Sequence, residues 1–289
     1  SGYRQCVASE LGIKYEDTVI QVRRSDNNAY VFPGPGGSFG TTGTTPQLVL
    51  AARELKQKIL RYAVAPRTAK KAPGEPFFPG KKPEDLDIRE SFIFEKANPG
   101  NKKSVGEVAN HFWNTDPAIV HPAAGTLGEL RSEGKPDPRL HFMARQAHFV
   151  EVEVDTETGL VSVTDMVCVN DVGHIFNPEG AMGQQYGGAI MGLGRSATEE
   201  KVYCPRTGVG LNWDHIGYSL PTMNDYPPIQ CILHESHLGY STYGACGIGE
   251  NIGASVSAIT SSAIHNATGR WLIDFPITPD KVLRALGKI

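Results

Sequence analysis

The sequence predicts an α+β fold made of two mixed α/β lobes, and three observations support this class. Helical segments recur along the chain, and in the longest of them (47–64) apolar residues return at helical spacing. Alternating apolar and polar residues in HFVEVEVD and LVSVTDMVCVND predict two strands, and the TETG between them predicts a hairpin. Loop-forming residues separate the two regions. We therefore predict a first lobe at 1–115, connecting loops at 116–147 and a second lobe at 148–289.

The first lobe begins with a predicted helix over residues 1–12, which Gly12 ends. TVIQVRR (18–24) alternates as a strand. A loop rich in glycine and hydroxyl groups, VFPGPGGSFGTTGTTPQ, then leads into the long helix at 47–64. LDIRESFIFE predicts strands within a region otherwise rich in Lys, Pro and Gly, and 104–113 is predicted to be a short helix.

After its hairpin, the second lobe continues with a predicted helix at 177–200, a strand at 228–236, a helix at 253–269 and a short C-terminal helix. The first of these helices carries many glycines. Glycine in a helix interior costs about 1 kcal/mol relative to alanine. We therefore expect close packing at the glycines of this helix, Gly183, Gly187, Gly188, Gly192 and Gly194.

Composition excludes several classes of function. The formal net charge is −3 with no long basic run, which disfavours nucleic-acid binding. No stretch reaches the length of an apolar membrane span. The five cysteines are scattered without a CxxC pair, which predicts reduced thiols in a cytoplasmic protein. The nine histidines form no HxxxH or HExxH pair, so no protein-ligated metal is predicted, and His174 is interpreted as a turn residue.

Three features are candidates for a binding or catalytic site. The loop 33–45 offers backbone N–H groups and hydroxyls before a helix and would suit an anion, although a simple connector remains an alternative. Gln184 and Gln185 offer amides that either read a heterocycle or lie exposed on a packed helix. Glu250 stands among glycines in YGACGIGEN, where a carboxylate needs a partner or a task. Asp171 and Glu250 are a further candidate pair for glycoside hydrolysis, although nothing in the sequence brings them together.

The order of these signals carries a resemblance. The hairpin, IFNPEGAMGQQYGGAIMGLG, TEE, YSLPT, GIGE and FPITPDKVLRAL follow one another along the chain. In this order they resemble the molybdenum-cofactor subunit of the xanthine oxidase family of molybdenum hydroxylases, most densely over 148–289. The chain resembles only the C-terminal half of that subunit. We therefore expect the other half to be a separate polypeptide.

The resemblance implies a function for individual residues. Glu250 matches the family's general base, and Gln184 matches its cofactor-binding glutamine. The metal belongs to the pterin complex in this family, which agrees with the absence of a metal-ligand motif. Further cofactor contacts are implied in the glycine-rich loop and before the glutamate, at Gly36, Gly37, Ser38, Gly40, Thr41, Thr42, Cys246, Gly247, Ile248 and Gly249.

The implied activity is oxidative hydroxylation of an N-heteroaromatic compound or an aldehyde, with water as the oxygen source. The implied cofactor is molybdopterin, either plain or as the cytosine dinucleotide. The implied partners are the chain carrying the N-terminal half, a subunit with two [2Fe-2S] clusters and a FAD subunit. A hydratase, reductase or transhydroxylase of the same family remains an alternative, as does a non-catalytic half that only completes the cofactor cradle.

Three residues depart from the family pattern. Cys246 stands where many relatives have a basic residue, Asn251 replaces the usual proline, and Phe39 stands where arginine is common. These departures keep the glutamate but leave the substrate type and the reaction type open.

Overall fold

The computed structural model describes four stretches of the chain, residues 2–20, 36–67, 74–112 and 144–289. The described residues form two compact units. The second unit consists of residues 36–41 and 144–289, and the first contains the remaining described residues. The predicted connecting loops at 116–147 lie almost entirely outside the described stretches, so the predicted lobe boundaries remain a prediction.

The first unit combines helices with a small antiparallel sheet in the order β1-β2-β3. Its core lies where Ile59 and Leu60 pack with Phe78, Leu86 and Ile93. Burial of such apolar side chains is the main source of its stability. Its elements are α1 (Gly2–Leu11), α2 (Thr45–Val64), β1 (Leu86–Arg89), β2 (Phe92–Glu95), β3 (Asn98–Ser104) and α3 (Val105–Phe112).

The second unit contains a three-stranded sheet on which two long helices pack. The sheet has the order β4-β5-β6, with an antiparallel and then a parallel pair. Asp171 at the end of β5 pairs with His234 at the end of β6, so both strands finish at the same edge. The elements are β4 (Arg145–Val154), β5 (Val161–Asp171), α4 (Pro178–Ala197), β6 (Ile229–His234), α5 (Glu250–Thr268) and α6 (Pro279–Leu286).

Glycines allow α4 and α5 to pack closely. A Cβ atom on Gly192 would lie 2.5 Å from Val256 Cβ, and one on Gly188 would lie 2.7 Å from Ile252 Cβ. Gly194 is similarly crowded by the side chains of Glu199 and Pro221. The prediction of close packing is therefore confirmed at these three glycines.

At Gly183 and Gly187 no described residue supplies the expected packing, so close packing against another group remains a prediction there. Nothing in the described stretches lies within 4 Å of a Cβ atom placed at either position. Both glycines are exposed, and they lie one helical turn apart on the face of α4 that carries Gln184.

Most predicted elements are present, with differences at their ends. The β4–β5 hairpin forms as expected, and α5 starts at Glu250 rather than at residue 253. The sequence missed β3 because NPGNKKS has no apolar alternation. Of the predicted strand at 18–24, residues 18–20 are not in a strand and the rest lie outside the described stretches.

None of the described helices has both the length and the hydrophobicity that a membrane crossing requires.

Candidate functional site

Glu250 is the first residue of α5, and its side chain is exposed. Its backbone N–H donates a 2.7 Å hydrogen bond to the Ser38 hydroxyl oxygen, although the two residues are 212 positions apart. The carboxylate therefore lies at the positive end of the α5 dipole, a favourable place for negative charge. The hydrogen bond that Ser38 accepts fixes the backbone from which this carboxylate projects.

Gly249 leaves room for a second polar group, the Gln184 amide, beside the Ser38 hydroxyl. A Cβ atom on Gly249 would lie 2.9 Å from Gln184 Oε1 and 3.0 Å from Ser38 Oγ. These gaps are too short for a methyl group, so a residue with a side chain would displace one of the two polar groups. The structure thus brings together the predicted site residues Ser38, Gln184, Gly249 and Glu250.

Asn251, which departs from the family pattern, follows the glutamate and is buried. Its Oδ1 accepts a 3.0 Å hydrogen bond from the Gly249 N–H. Its Nδ2 is also buried but has no hydrogen-bond partner among the described residues. A buried amide donor without a partner is costly and calls for an explanation, such as an additional group bound nearby.

The predicted loop before α2 forms short helical turns where it is described. Gly36–Ser38 form a 3₁₀ turn, and a π-helical turn follows at Gly40–Thr44. Gly36 and Gly37 are exposed. The Thr41 carbonyl accepts a 3.1 Å hydrogen bond from the Ser241 hydroxyl, which ties this segment to the region before Glu250.

Ser38 and Thr42 differ from the other residues of these turns in backbone conformation and in burial. Ser38 has a positive φ of 61°, which non-glycine residues rarely adopt, so its hydroxyl is held in place at a backbone cost. Thr42 is buried and belongs to the first unit, unlike Ser38 and Thr41. A cofactor contact at Gly36, Gly37, Gly40, Thr41 or Thr42 remains a prediction.

The residues before Gly249 face inward. Cys246 is buried and packs with Ala144 and Val172. Burial, together with the nearby Asp171 carboxylate, raises the pKa of the Cys246 thiol to about 12. Gly247 is buried and Ile248 is partly buried against the cores of the second unit. Cofactor contacts from Cys246, Gly247 and Ile248 therefore remain predictions, and the thiol itself points into protein.

The two adjacent glutamines differ. Gln185 is fully buried, and its Nε2 donates a 3.1 Å hydrogen bond to the Ile232 carbonyl oxygen. Gln184 is exposed on α4, so it is the member of the pair whose amide is available to a ligand.

Asp171 has a structural task. Its Oδ1 accepts hydrogen bonds from the Ser236 hydroxyl at 2.8 Å and from the Gly173 N–H at 3.0 Å. These bonds join the turn after β5 to the turn after β6. A carboxylate that holds two turns together is not poised for glycoside hydrolysis with Glu250.

One group of side chains was not predicted from the sequence. His174, which was interpreted as a turn residue, lies beside Glu235 and His237. The three residues follow two different strands, and only the parallel pairing of β5 and β6 brings them together. The HESH stretch was the only local signal, because it places Glu235 and His237 two residues apart.

Comparison with known proteins identifies the kind of domain. Residues 1–227 match the family model described as molybdopterin cofactor-binding domain. The chain is 30% identical over 288 residues to the aldehyde oxidoreductase molybdenum-binding subunit PaoC of Escherichia coli, covering 98% of this chain and 34% of that protein. It is 28% identical over 282 residues to a putative xanthine dehydrogenase molybdenum-binding subunit of the same species, covering 97% and 35%.

A solved structure agrees with these relatives. The quinoline 2-oxidoreductase of Pseudomonas putida 86 matches with a TM-score of 0.74 and 25% identity, over 99% of this chain and 35% of that one. The chain thus spans about a third of the length of the proteins that it matches.

Proposed function

Because the chain belongs to the family of molybdopterin cofactor-binding domains, we propose that it forms part of the active site of a molybdenum hydroxylase. The proposed reaction is oxidative hydroxylation of an aldehyde or an N-heteroaromatic compound with oxygen from water. The observation that carries the proposal is the convergence of Ser38 and Gln184 beside Gly249, with Ser38 also bonded to the Glu250 N–H. Relatives named as an aldehyde oxidoreductase and a quinoline 2-oxidoreductase support the two substrate classes.

The residues present fit a polar, flat cofactor. Gln184 offers an exposed amide, and Gly183 and Gly187 leave open space on the same face of α4. The buried Asn251 Nδ2 is a donor without a partner in the part of the chain that the structure describes, as expected where a bound group completes the hydrogen bonding. Gln184 and the backbone at Gly247 and Gly249 would hold the pterin, and residues 36–41 would hold its phosphate or dinucleotide end.

Glu250 is the proposed general base. A bound molybdopterin cofactor supplies a molybdenum centre that accepts two electrons from the substrate. The Glu250 carboxylate then has one task, which is to accept a proton from the attacking oxygen nucleophile. A base must be placed within hydrogen-bond reach of its proton, and the Ser38 bond to the Glu250 N–H provides a fixed backbone for this purpose.

Replacement of the carboxylate tests the proposal. In the assembled enzyme, Glu250→Gln should retain cofactor and molybdenum but lower kcat by about 10²- to 10⁴-fold, since a neutral amide accepts no proton. Glu179→Gln is a matched control, because Glu179 is an exposed acidic residue in the first turn of α4. Activity of Glu250→Gln close to that of the control would contradict the assigned base.

Two alternatives predict different outcomes. If the chain only completes the cofactor cradle, Glu250→Ala will keep full activity while molybdenum content is unchanged. If the enzyme is a hydratase or a transhydroxylase, turnover will continue without an external electron acceptor. A hydroxylase requires that acceptor because two electrons leave the substrate in each turnover.

The chain is proposed to work in a complex. It spans about a third of its relatives' length, and the proposal is that residues outside this sequence supply the rest of the cofactor site. Several large apolar side chains lie exposed between residues 202 and 223, among them Trp213, Ile216 and Met223. Exposed apolar surface of this kind is typical of interaction sites. The proposed partners are a chain with the remaining molybdenum-subunit residues, a subunit with two [2Fe-2S] clusters and a FAD subunit.

Purification of the native complex tests this assembly. Mass spectrometry of its subunits and analysis of molybdenum, iron, flavin and pterin nucleotide would identify each component. Recovery of this chain alone, with full activity and a complete cofactor, would contradict the proposed assembly.

A further inference from the structure

The turns after β5 and β6 carry three side chains with metal-binding atoms. β5 and β6 are parallel and end side by side, with Asp171 opposite His234. His174 therefore leaves the sheet next to Glu235 and His237. The Asp171 carboxylate, through its bonds to the Gly173 N–H and the Ser236 hydroxyl, holds the two turns together.

The three side chains already converge. One ligand atom from each of His174, Glu235 and His237 lies within 4.8 Å of the other two. His174 Nδ1 is 3.1 Å from Glu235 Oε1, and the two imidazole rings stack with centroids 5.1 Å apart. For metal–ligand bonds of about 2.0–2.2 Å, neighbouring ligand atoms lie roughly 3–3.5 Å apart. Side-chain rotations that turn the two stacked imidazoles toward one point and bring the ligand atoms closer would complete the site.

His174 provides a second observation. Its Nδ1 is buried from solvent and makes no aligned hydrogen bond with any described residue, although Glu235 Oε1 is near. That oxygen already accepts a 2.7 Å hydrogen bond from the Ile175 N–H. Among the described residues, His174 Nδ1 and Glu235 Oε1 thus lie close together without an aligned hydrogen bond, and a metal ion bound to both atoms would satisfy them.

The charge of the group suits a cation. Glu235 places one carboxylate beside the two imidazoles, and its Oε1 is held in place by the 2.7 Å hydrogen bond from the Ile175 N–H. Two imidazoles and one carboxylate are the donor set that Zn²⁺ and similar transition metals prefer. Mg²⁺ and Ca²⁺ prefer oxygen ligands alone. Glu235 and His237 are exposed, so water has access to the remaining coordination positions.

We propose that His174, Glu235 and His237 bind one divalent transition-metal cation of the Zn²⁺ type. The backbone N–H of His174 donates a 2.9 Å hydrogen bond to the Gly244 carbonyl oxygen, and the backbone N–H of Gly239 donates a 2.8 Å hydrogen bond to the same oxygen. A cation held here would therefore brace the segment that leads from Gly244 to Glu250. The inference does not rest on the proposed function, because no residue of the cation site is used in it.

Direct binding measurements test the site. The purified native assembly is treated with a chelator, desalted and titrated with Zn²⁺ alone at neutral pH, with bound zinc counted by elemental analysis after dialysis. Each wild-type chain should bind one Zn²⁺ ion at this site, and the variants should bind it more weakly. His237→Ala and Glu235→Gln should each weaken this binding by about tenfold or more, since even groups that only support ligands have effects of this size.

Two controls keep the test interpretable. His215→Ala removes an exposed histidine outside the cluster and should leave zinc binding unchanged. Glu235→Gln keeps a side-chain oxygen that accepts the Ile175 N–H, so the turn should still fold. Zinc should raise the melting temperature of wild type but not of Glu235→Gln, because a ligand stabilises only the state that binds it. Absence of zinc binding, or equal binding by wild type and both cluster variants, would overturn the proposal.

Discussion

The contact between α4 and α5 allows a stability change to be worked out from distances. In Gly192→Ala, the new Cβ would lie 2.5 Å from Val256 Cβ, 2.7 Å from Val256 Cγ2 and 3.0 Å from the Gly253 carbonyl oxygen. Carbon atoms prefer separations of about 3.5–4.0 Å. The helices must therefore part by about 1 Å at this point, and Val256 is a fully buried, branched residue with little freedom to move.

Two opposing effects set the expected magnitude. Overpacking a core typically costs about 1–3 kcal/mol. Alanine is favoured over glycine in a helix by about 1 kcal/mol, which offsets part of this cost. Because the clash involves the branched Cβ atom rather than a flexible end, we expect the upper part of the range. Gly192→Ala should therefore lower the free energy of unfolding by about 1–2 kcal/mol.

Gly187→Ala supplies the matched control on the same helix. No described atom lies within 4 Å of its new Cβ, so only the gain in helix propensity remains, about 0.4–1 kcal/mol. Urea unfolding followed by circular dichroism would measure both variants. The two substitutions should shift the midpoint in opposite directions. A Gly192→Ala protein as stable as wild type would refute the reasoning, because it would show that separating α4 and α5 costs no more than the gain in helix propensity.

Further predictions concern thiols, pH and the segment before α2. Iodoacetamide should modify Cys204 before Cys168. Hydrogen bonds from Thr207 and the backbone lower the pKa of the Cys204 thiol, whereas burial raises the pKa of the Cys168 thiol to about 12 and should protect it. Peptide mapping would measure the order of modification, and a reversed order would contradict this prediction. Burial lowers the pKa of His148, so at acidic pH the unfolded chain binds a proton that the native state lacks. The free energy of unfolding should therefore decrease as the pH drops below about 6.5. His148→Gln should flatten that fall, and an unchanged slope in urea unfolding would count against it. Ser38→Val should lower cofactor occupancy while the pH optimum of the remaining activity stays the same; a shifted optimum at full occupancy would contradict this.

The sequence predicted well the elements with strong periodicity. The β4–β5 hairpin, α2 and α4 have apolar spacing that local physics alone sets. β3 lacked such a pattern, since its hydrogen bonds to β2 rather than its own side chains define it as a strand. The predicted start of α5 was three residues too late, because the glycines around Glu250 favour a turn over a helix in the local sequence. The bond from the Glu250 N–H to Ser38 helps to hold the helix start there, and it is invisible in local sequence.

The candidate site was predicted from resemblance rather than from spacing. Glu250 and Gln184 had each been assigned by motif, but only the structure shows that Ser38 and Gln184 both occupy the space where a side chain on Gly249 would lie. The group of His174, Glu235 and His237 was missed because sixty residues separate the two turns that carry it. Spacing rules for metal ligands detect pairs on one element and fail when a parallel strand pair brings the ligands together.

The bond between Ser38 and Glu250 also has a consequence for the order of folding. It closes a loop of 212 residues, and the entropy of closing such a loop in a flexible chain corresponds to about 5 kcal/mol, against about 1 kcal/mol gained from one hydrogen bond. The bond cannot form on its own in the unfolded chain. The sheet and the α4–α5 pair must first assemble from residues 144–289, which supply a docking surface for the segment 36–41. During refolding, hydrogen-exchange protection should therefore appear at Glu250 later than in the interior of α5.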